Sequence, residues 1–159
     1  MLKPSAQKVQ DVLAQFGHHN VVIELEETAR TAEDAAHALQ CDVGQIVKSL
    51  VFKGHESQTP YLLLVSGRDR VDLKKATDLL GEPLRRADAD WVKEQTGFAI
   101  GGVPPVGHAK ALTTIMDNNL LDYPTLWAAA GHPFAVFPSS PESLLEITHA
   151  ACADIHAVQ

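Results

Sequence analysis

The stretch QIVKSLVFK, residues 45–53, places one lysine among apolar residues in what reads as a β-strand. In a β-strand, successive side chains point to opposite faces. The face that carries Lys48 would therefore also carry Ile46, Leu50 and Phe52. A buried, unpaired ammonium group costs several kcal/mol or shifts its pKa. Lys48 must therefore either extend to water at the rim of the sheet or point into a polar pocket.

The segments on either side of this strand predict a mixture of strands and helices. YLLLVSG (61–67) follows after the turn-rich GHESQTP, which favours a β-hairpin. Further strands are predicted at 20–25, 84–87, 112–117, 125–131 and 134–138, and helices at 5–16, 31–41, 72–81, 88–97 and 140–155. Thr31, Asp88 and Ser140 are the predicted N-caps of three of these helices.

Hairpins and short sequential strands dominate the middle and end of the chain, which favours an antiparallel arrangement over a doubly wound parallel sheet. The fold class predicted is α/β of the α+β kind, with a mixed, mostly antiparallel, barrel-like sheet surrounded by helices. The 159 residues suit one domain spanning 1–159, and the 45% hydrophobic content is enough for a core.

The composition of the chain indicates where in the cell the protein is expected and whether it is expected to bind a membrane. No apolar run reaches the roughly 20 residues of a membrane helix, and the amphipathic N-terminus has no signal-peptide apolar block. We therefore expect a cytoplasmic protein without a membrane partner. Cys41 and Cys152 are too few for a disulfide framework.

Charge argues against a bulk nucleic-acid binder, because the formal net charge is −7. The distribution is uneven, however, and every lysine and arginine lies at or before Lys110. Residues 68–86 contain six basic and four acidic side chains. This segment fits either a solvated surface of mixed charge or a local contact for a phosphate backbone.

The loop GGVPPVGH, residues 101–108, is the most unusual segment of the chain. Two glycines permit a close approach by a ligand, while Pro104 and Pro105 restrict the backbone. A stiff loop with exposed N–H and C=O groups could orient a small polar ligand or polarise a carbonyl group, although a rigid surface turn has the same composition. His108, at the end of the loop, is the best histidine for a site; the alternative is a turn residue that caps a backbone group.

Motifs for metal or covalent chemistry are weak. His149, Cys152 and His156 have i, i+3, i+7 spacing and could share a helix face, but three ligands near a C-terminus make a poor zinc site. Ser66 precedes a glycine at a strand end without an obvious base, and neither a nucleophile elbow nor a P-loop is present. We predict no metal and no cofactor.

Lys48 and the glycine–proline loop together resemble the YbaK/ProX family, the stand-alone relatives of the editing domain inserted in bacterial prolyl-tRNA synthetases. Matching segments extend over nearly the whole chain: TARTAEDAAHAL, GQIVKSLVFK, LLLVSGRDRVDLKKA, FAIGGVPPVGH, TIMDNNLL and LWAAAGHPFAVFPSSPESL. The resemblance implies a single domain with a barrel-like sheet and a trans-acting deacylase. Its substrate would be the 3′ end of a tRNA carrying a wrong small amino acid, on tRNA-Pro or a similar tRNA.

The resemblance also implies the site residues. Lys48 would lie at the ribose–phosphate end of the substrate, and Gly101 would be catalytic with it. Substrate-binding positions implied by the family pattern, or adjoining it here, are Thr31, Ser49, Gly102, Val103, Pro104, Pro105, His108 and Gly131. We expect a monomer. Docking on an aminoacyl-tRNA synthetase, rather than on free tRNA, is left open.

The chemistry implied needs no protein nucleophile, since an aminoacyl ester is already activated and water can attack it. Ser49 and the alanines at 128–130 depart from residues common in relatives, so the amino acid removed is left open. Three alternatives remain: a non-catalytic module that binds tRNA ends, a hydrolase of another small ester, and, as the weakest, a zinc enzyme.

Overall fold

A computed structural model describes residues 1–158, and within them eight strands form two separate sheets. The helices are α1 (Pro4–Gln15), α2 (Ala32–Leu39), α3 (Leu73–Leu80), α4 (Ala89–Thr96) and α5 (Pro141–Thr148). The strands are β1 (Ile23–Glu24), β2 (Val47–Gly54), β3 (Pro60–Ser66), β4 (Leu84–Arg86), β5 (Thr113–Asp117), β6 (Leu126–Ala129), β7 (Ala135–Ser139) and β8 (Ala151–Ala153). Short 3₁₀ helices span Val43–Gln45 and Asn118–Asp122.

The larger sheet has the strand order β4-β2-β3-β5-β8, and the smaller one has the order β1-β7-β6. The β2–β3, β2–β4, β1–β7 and β6–β7 pairs are antiparallel, whereas β3–β5 and β5–β8 are parallel. A mixed, mostly antiparallel α/β fold is therefore confirmed. The barrel-like closure is not confirmed, because the strands of residues 1–158 form two sheets instead of one closed sheet.

One edge of β2 is only partly covered, and this gap positions the candidate site. Strand β3 pairs along β2 from Val47 to Lys53. On the opposite edge, β4 reaches only Phe52–Gly54. The beginning of β2 therefore faces the smaller sheet, to which it is joined by an isolated parallel bridge between Ile46 and Trp127.

Two hydrophobic clusters lie on the two faces of the larger sheet, as the alternation of side chains requires. The main cluster joins both sheets with α1 and α5, and its members include Leu62, Leu64, Met116, Leu126, Phe137, Leu13 and Leu144. The second cluster contains Leu63, Val65, Ile115, Ala76 of α3 and Ile155. Leu50 and Phe52 pack against the second cluster, which confirms that they share one face of β2.

The predicted N-caps are confirmed. Thr31 Oγ1 accepts a hydrogen bond from Asp34 N at 3.0 Å, and Ser140 Oγ accepts one from Ser143 N at 3.1 Å. Asp88 Oδ1 does the same for Trp91 N at 2.8 Å. Each bond satisfies an otherwise unpaired N–H group of a first helical turn.

The predicted final helix at 140–155 is wrong beyond its first two turns. Helix α5 ends at Thr148, and His149 adopts a left-handed conformation with φ +55°. One residue later, Ala151–Ala153 form β8, which pairs in parallel with β5. Pairing with a distant strand and burial of Ile155 outweigh the local helical preference of the alanines, since propensity is only a weak influence.

None of the helices in residues 1–158 is long and apolar enough to cross a membrane.

Candidate functional site

A cavity of about 220 Å³ lies where the uncovered edge of β2 meets the smaller sheet. Its walls come from three further parts of the chain: the start of α2, the turn at Gly101, and strands β6 and β7 with their connection. The lining residues are Ala29, Arg30, Thr31, Ala32, Ala35, Ile46, Val47, Lys48, Ser49, Leu50, Gly101, Trp127, Ala129, Pro133, Ala135 and Val136. The structure therefore brings together four of the predicted site residues: Thr31, Lys48, Ser49 and Gly101.

Lys48 is half-buried in the cavity wall, and its ammonium donates a hydrogen bond to the backbone carbonyl of Asp69. Burial lowers the pKa of Lys48 from its ordinary value of 10.5, while the negative charges of Asp69 and Glu33 oppose this shift and Arg70 adds to it. The lysine in the apolar strand is thus accounted for by a cavity and a carbonyl partner, and not by exposure at the end of the strand.

Ser49 carries a buried hydroxyl oxygen for which residues 1–158 supply no hydrogen-bond partner. Buried polar side-chain atoms nearly always have a partner, so an exception calls for an explanation. Because Ser49 lines the cavity, a bound ligand could provide the missing bond.

The remaining walls are small or apolar, apart from one cation. Trp127 forms one side of the cavity, and the short side chains of five alanines leave space inside it: Ala29, Ala32, Ala35, Ala129 and Ala135. Thr31 lies at the exposed rim, with its hydroxyl oxygen already accepting the cap bond of α2. Arg30, next to it, adds a second positive charge to the lining, which contains no carboxylate, histidine or cysteine.

The glycine–proline loop meets the cavity at one residue. Gly101 is exposed and has φ +89°, a left-handed conformation that favours glycine. Val103, Pro104 and Pro105 are buried and do not line the cavity, so the backbone groups of the loop are less exposed than its composition predicts. The rigid, proline-containing part of the loop is instead packed in the interior, next to Gly101 in the chain.

Gly102 and Gly131 hold this loop against the smaller sheet. The N–H of Gly131 donates to the carbonyl of Gly102 at 3.0 Å. A Cβ atom on Gly102 would lie 2.4 Å from the His132 Cα atom, and one on Gly131 would lie 2.4 Å from the carbonyl oxygen of Ser5. Both positions therefore require glycine for a close backbone approach, and neither residue lines the cavity.

His108 lies apart from the cavity. Its Nε2 atom lies 2.6 Å from the carbonyl oxygen of Pro104, so this nitrogen carries the proton and donates it. Burial lowers the pKa of the imidazole. The ring contributes with Pro105 to a separate hollow of about 550 Å³ near the end of α5. The cap interpretation of His108 thus accounts for its observed bond.

The three residues weighed as zinc ligands do not share a helix face. His149 follows the end of α5 and Cys152 lies in β8. A different group, Asp117, Asp154 and His156, has ligand atoms within 4.8 Å of one another. These side chains already have partners: His156 Nδ1 lies 2.9 Å from Asp117 Oδ1, and the Lys75 ammonium lies 3.0 Å from Asp154 Oδ1. A hydrogen bond from His156 and an ion pair with Lys75 therefore account for their proximity.

Sequence reasoning missed Arg30, Trp127 and Asp69 as residues of the site and its surroundings. Arg30 and Trp127 carry no pattern of their own, because their contribution depends on how the two sheets meet. Asp69 lies in the VSGRD segment, where the acid after a strand end was the available signal.

The arrangement can bind a small polar ligand that carries negative charge. Lys48 and Arg30 supply positive charge, and Gly101 supplies a backbone that a ligand can approach. The lining holds no serine–histidine or cysteine–histidine pair, so the cavity lacks these two common forms of the nucleophile and base of covalent acyl transfer.

Comparison with known proteins identifies the class of domain. A family model described as the aminoacyl-tRNA editing domain matches residues 26–147. The chain is 27% identical to a candidate Cys-tRNA(Pro)/Cys-tRNA(Cys) deacylase of Enterococcus faecalis, with 98% of both chains covered. It is 38% identical to a proline–tRNA ligase of Thermosipho africanus over 51% of this chain and 14% of the ligase. A solved structure of a candidate trans-editing enzyme for prolyl tRNA synthetase is 52% identical, with a TM-score of 0.95 over 99% of this chain and all of the other.

Proposed function

The chain belongs to the family of aminoacyl-tRNA editing domains, and from that premise we propose that it acts in trans to hydrolyse the ester between a small amino acid and its tRNA. One observation carries the proposal: Lys48, Ser49 and Gly101 line a single cavity whose lining contains no histidine or cysteine. Such a cavity suits the attack of water on an ester that is already activated.

The reaction proceeds by addition and elimination. The oxygen of a water molecule attacks the ester carbonyl carbon, and negative charge develops on the carbonyl oxygen. The bond from that carbon to the ribose oxygen then breaks, and the released ribose oxygen takes the proton that the attacking water has lost. The free amino acid and the uncharged tRNA leave. Positive charge placed where negative charge develops lowers the barrier, and we propose that Lys48 supplies it at the ribose–phosphate end of the substrate.

The cavity favours a small amino acid. Its volume of about 220 Å³ and its alanine walls leave room for a short side chain. A pocket that relies on apolar contacts distinguishes two substrates by only about 1–3 kcal/mol per methylene group. We therefore propose tRNA-Pro or a similar tRNA carrying a small wrong amino acid as the substrate class.

The other predicted positions receive roles that fit their placement. Thr31 at the rim would contact the substrate directly. Five other positions would act indirectly, through the backbone that holds Gly101 in place: Gly102, Val103, Pro104, Pro105 and Gly131. His108, which fastens the far end of the same loop through Pro104, would contribute in the same way.

The partner is the 3′ end of aminoacyl-tRNA. Because the chain resembles a segment of proline–tRNA ligase, a prolyl-tRNA synthetase is the synthetase on which we expect it to dock. A protein with this substrate would work as a monomer in the cytoplasm, where aminoacyl-tRNA is made and consumed.

The test is deacylation of a panel of alanyl-, cysteinyl-, seryl- and threonyl-tRNA by wild type, Lys48→Ala and Lys53→Ala. We expect the wild type to remove one aminoacyl group rapidly and Lys48→Ala to lose roughly 100-fold or more in rate, as when a charge-stabilising group is removed. Lys53, whose ammonium lies 5.2 Å from the centre of the Trp91 ring at the other end of β2, is the matched control and should keep its rate.

A folded Lys48→Ala variant with full activity would contradict the proposed role of Lys48. Binding of aminoacyl-tRNA by the wild type without any gain in hydrolysis would instead indicate a non-catalytic binding module. Equal turnover of a free aminoacyl ester and the tRNA-linked ester would indicate a general small-ester hydrolase.

A further inference from the structure

The carbonyl that holds Lys48 belongs to the loop after β3, and this loop is fixed from several sides. The Asp69 backbone N–H donates to the Ser66 carbonyl at 2.9 Å, which closes a turn. The Asp69 carbonyl then points to the Lys48 ammonium. A long lysine side chain gains much rotational freedom when it has no fixed partner, so the position of this carbonyl determines where the ammonium lies.

The side chain of Asp69 is buried, with 6% of the residue exposed. Its Oδ2 atom accepts a hydrogen bond from Asn119 Nδ2 at 2.9 Å and lies 3.7 Å from Arg68 Nε. Burying a carboxylate is costly unless it is paired. The negative charge of Asp69 opposes the effect of burial on the pKa of Lys48.

Asn119 is itself fastened to a buried acid. Its backbone N–H donates to Asp117 Oδ2 at 3.1 Å, and Asp117 is fully buried. The other oxygen of Asp117 accepts from Ile155 N at 2.8 Å and from His156 Nδ1 at 2.9 Å. The residues after β8 are therefore tied to the same acid that positions Asn119.

The same C-terminal residues also hold the Asp69 loop directly. Asp72 N donates to the Ile155 carbonyl at 2.7 Å, and Ala157 N donates to the Arg70 carbonyl at 2.8 Å. The loop is thus bonded immediately after Asp69 as well as through its side chain. A continuous set of hydrogen bonds runs from the C-terminal segment to the ammonium in the cavity.

We propose that Asp69 is the positioning residue for Lys48: its carbonyl holds the ammonium, its carboxylate supplies the adjacent negative charge, and Asn119 anchors that carboxylate. The inference rests on the proposed function, because it assigns Asp69 to the lysine that we place at the substrate. Asp69 does not line the cavity and acts only through Lys48.

Two variants distinguish the effect of the Asp69 charge from the effect of the hydrogen bond that Asn119 donates to it. Asp69→Asn removes the negative charge but keeps an oxygen that can accept the bond from Asn119. Asn119→Ala removes the anchor and keeps the charge. Asp78→Asn is the matched control, since it removes an exposed acid from α3 on the surface.

The charge is tested by the pH dependence of kcat/KM, corrected for spontaneous ester hydrolysis, and by NMR titration of Lys48 in lysine-labelled protein. The charged groups that face Lys48 are Asp69, Glu33 and Arg70. Losing the Asp69 charge lowers the pKa of Lys48 further, so the ammonium loses its proton at lower pH. We expect the alkaline limb of the profile and the Lys48 titration to move to lower pH in Asp69→Asn and to stay unchanged in Asp78→Asn.

The anchor is tested by steady-state kinetics. In Asn119→Ala we expect kcat to fall roughly 10- to 100-fold, as for a small misplacement of a reacting group, with KM nearly unchanged. A folded Asp69→Asn variant with an unshifted Lys48 titration, or a folded Asn119→Ala variant with wild-type kcat, would overturn the proposal. If the wild type deacylates nothing, the proposed function fails, and the NMR titration still decides whether Asp69 controls Lys48.

Discussion

Ser49 and Ser66 are two serines with buried hydroxyl groups in opposite situations. Ser66 Oγ donates to the Gly44 carbonyl at 2.8 Å, whereas Ser49 Oγ has no partner in residues 1–158. An unsatisfied buried polar group costs about 1–3 kcal/mol. The fold gains nothing from the Ser49 hydroxyl, which is consistent with a group retained for a ligand.

This contrast predicts opposite effects of two alanine substitutions. Ser49→Ala should raise the free energy of unfolding by about 1 kcal/mol, because it removes an unsatisfied group. It should also lower kcat/KM for deacylation roughly ten-fold if the hydroxyl bonds the substrate, since that factor corresponds to the net energy of one hydrogen bond. Ser66→Ala, the control, should lose about 1–2 kcal/mol of stability. Urea unfolding and deacylation assays measure both quantities. A Ser49→Ala variant less stable than Ser66→Ala would argue against a ligand-directed hydroxyl.

For single residues, the sequence was enough to single out Lys48 but not to identify Asp69, whose carbonyl accepts its hydrogen bond. Lys48 could be identified because a charge among alternating apolar residues conflicts with its surroundings, and such conflicts mark functional sites. Ser49 could be named only by its place next to Lys48. Its lack of a partner depends on every atom around it, which no local pattern encodes. Asp69 was missed for the same reason.

Among the secondary-structure elements, the β2–β3 hairpin is closed by one carboxylate from outside it. Glu82 Oε1 accepts hydrogen bonds from Glu56 N at 2.8 Å and Ser57 N at 2.9 Å, and Oε2 accepts one from Tyr61 Oη at 2.7 Å. These bonds favour the ionised form and lower the pKa of Glu82 from 4.5 to about 2.

The hairpin should therefore show a specific acid sensitivity. A carboxyl group with a depressed pKa in the folded state stabilises the fold above its unfolded pKa, and this contribution disappears as pH falls. For Glu82 the loss should occur as pH falls from 4.5 to about 2. Glu82→Gln should be less stable at neutral pH and should lack this component of the acid transition. Thermal unfolding at a series of pH values, with the exposed Glu94→Gln as control, measures it; identical acid profiles for wild type and Glu82→Gln would count against the assignment.

The close approach of Gly131 to the backbone of helix α1 gives a second prediction at this scale. Gly131 has φ +106°, and a Cβ atom there would lie 2.4 Å from the Ser5 carbonyl oxygen. Gly81, after α3, also has positive φ (+81°) but open space around it. Gly81→Ala should cost about 1–2 kcal/mol for the left-handed conformation alone. Gly131→Ala should cost more than about 3 kcal/mol, because overpacking adds to the strain. Equal losses in the two variants, measured by urea unfolding, would refute the close contact.

Elements with local signals were predicted, and elements that depend on distant partners were not. Caps such as Thr31 and Asp88 fixed the starts of their helices because a cap acts within one turn. Strand β8 was mistaken for helix because its residues are alanine and cysteine, and only parallel pairing with β5 makes them a strand. Most of the predicted strand at 20–25 lies outside β1 for a related reason: the observed pairing with β7 covers only Ile23 and Glu24.

For the whole molecule, net charge and local charge point in different directions. The protein carries a formal charge of −7, yet the cavity lining contains two cations and no carboxylate. The electrostatic potential inside a cleft is set mainly by its own walls. The overall charge excluded a broad nucleic-acid surface and could not predict the positive cavity, whose composition depends on how the segments meet.

The architecture was predictable as a class but not in its arrangement. Interspersed strands and helices indicated a mixed α/β fold, and the resemblance to editing domains extended that to the whole chain. The arrangement of the two sheets could not be predicted. They are separate because β4 pairs with only the last residues of β2, and they meet at the bridge between Ile46 and Trp127. These contacts join residues far apart in the chain.

The cavity between the two sheets also has a consequence during synthesis. Its walls come from residues 29–35, 46–50, 101 and 127–136, so they cannot meet until most of the chain has left the ribosome. Contacts between distant segments form late in folding. A copy that lacks residues 127–136 therefore has no complete cavity, and the proposed hydrolytic activity can arise only after this segment has joined the fold.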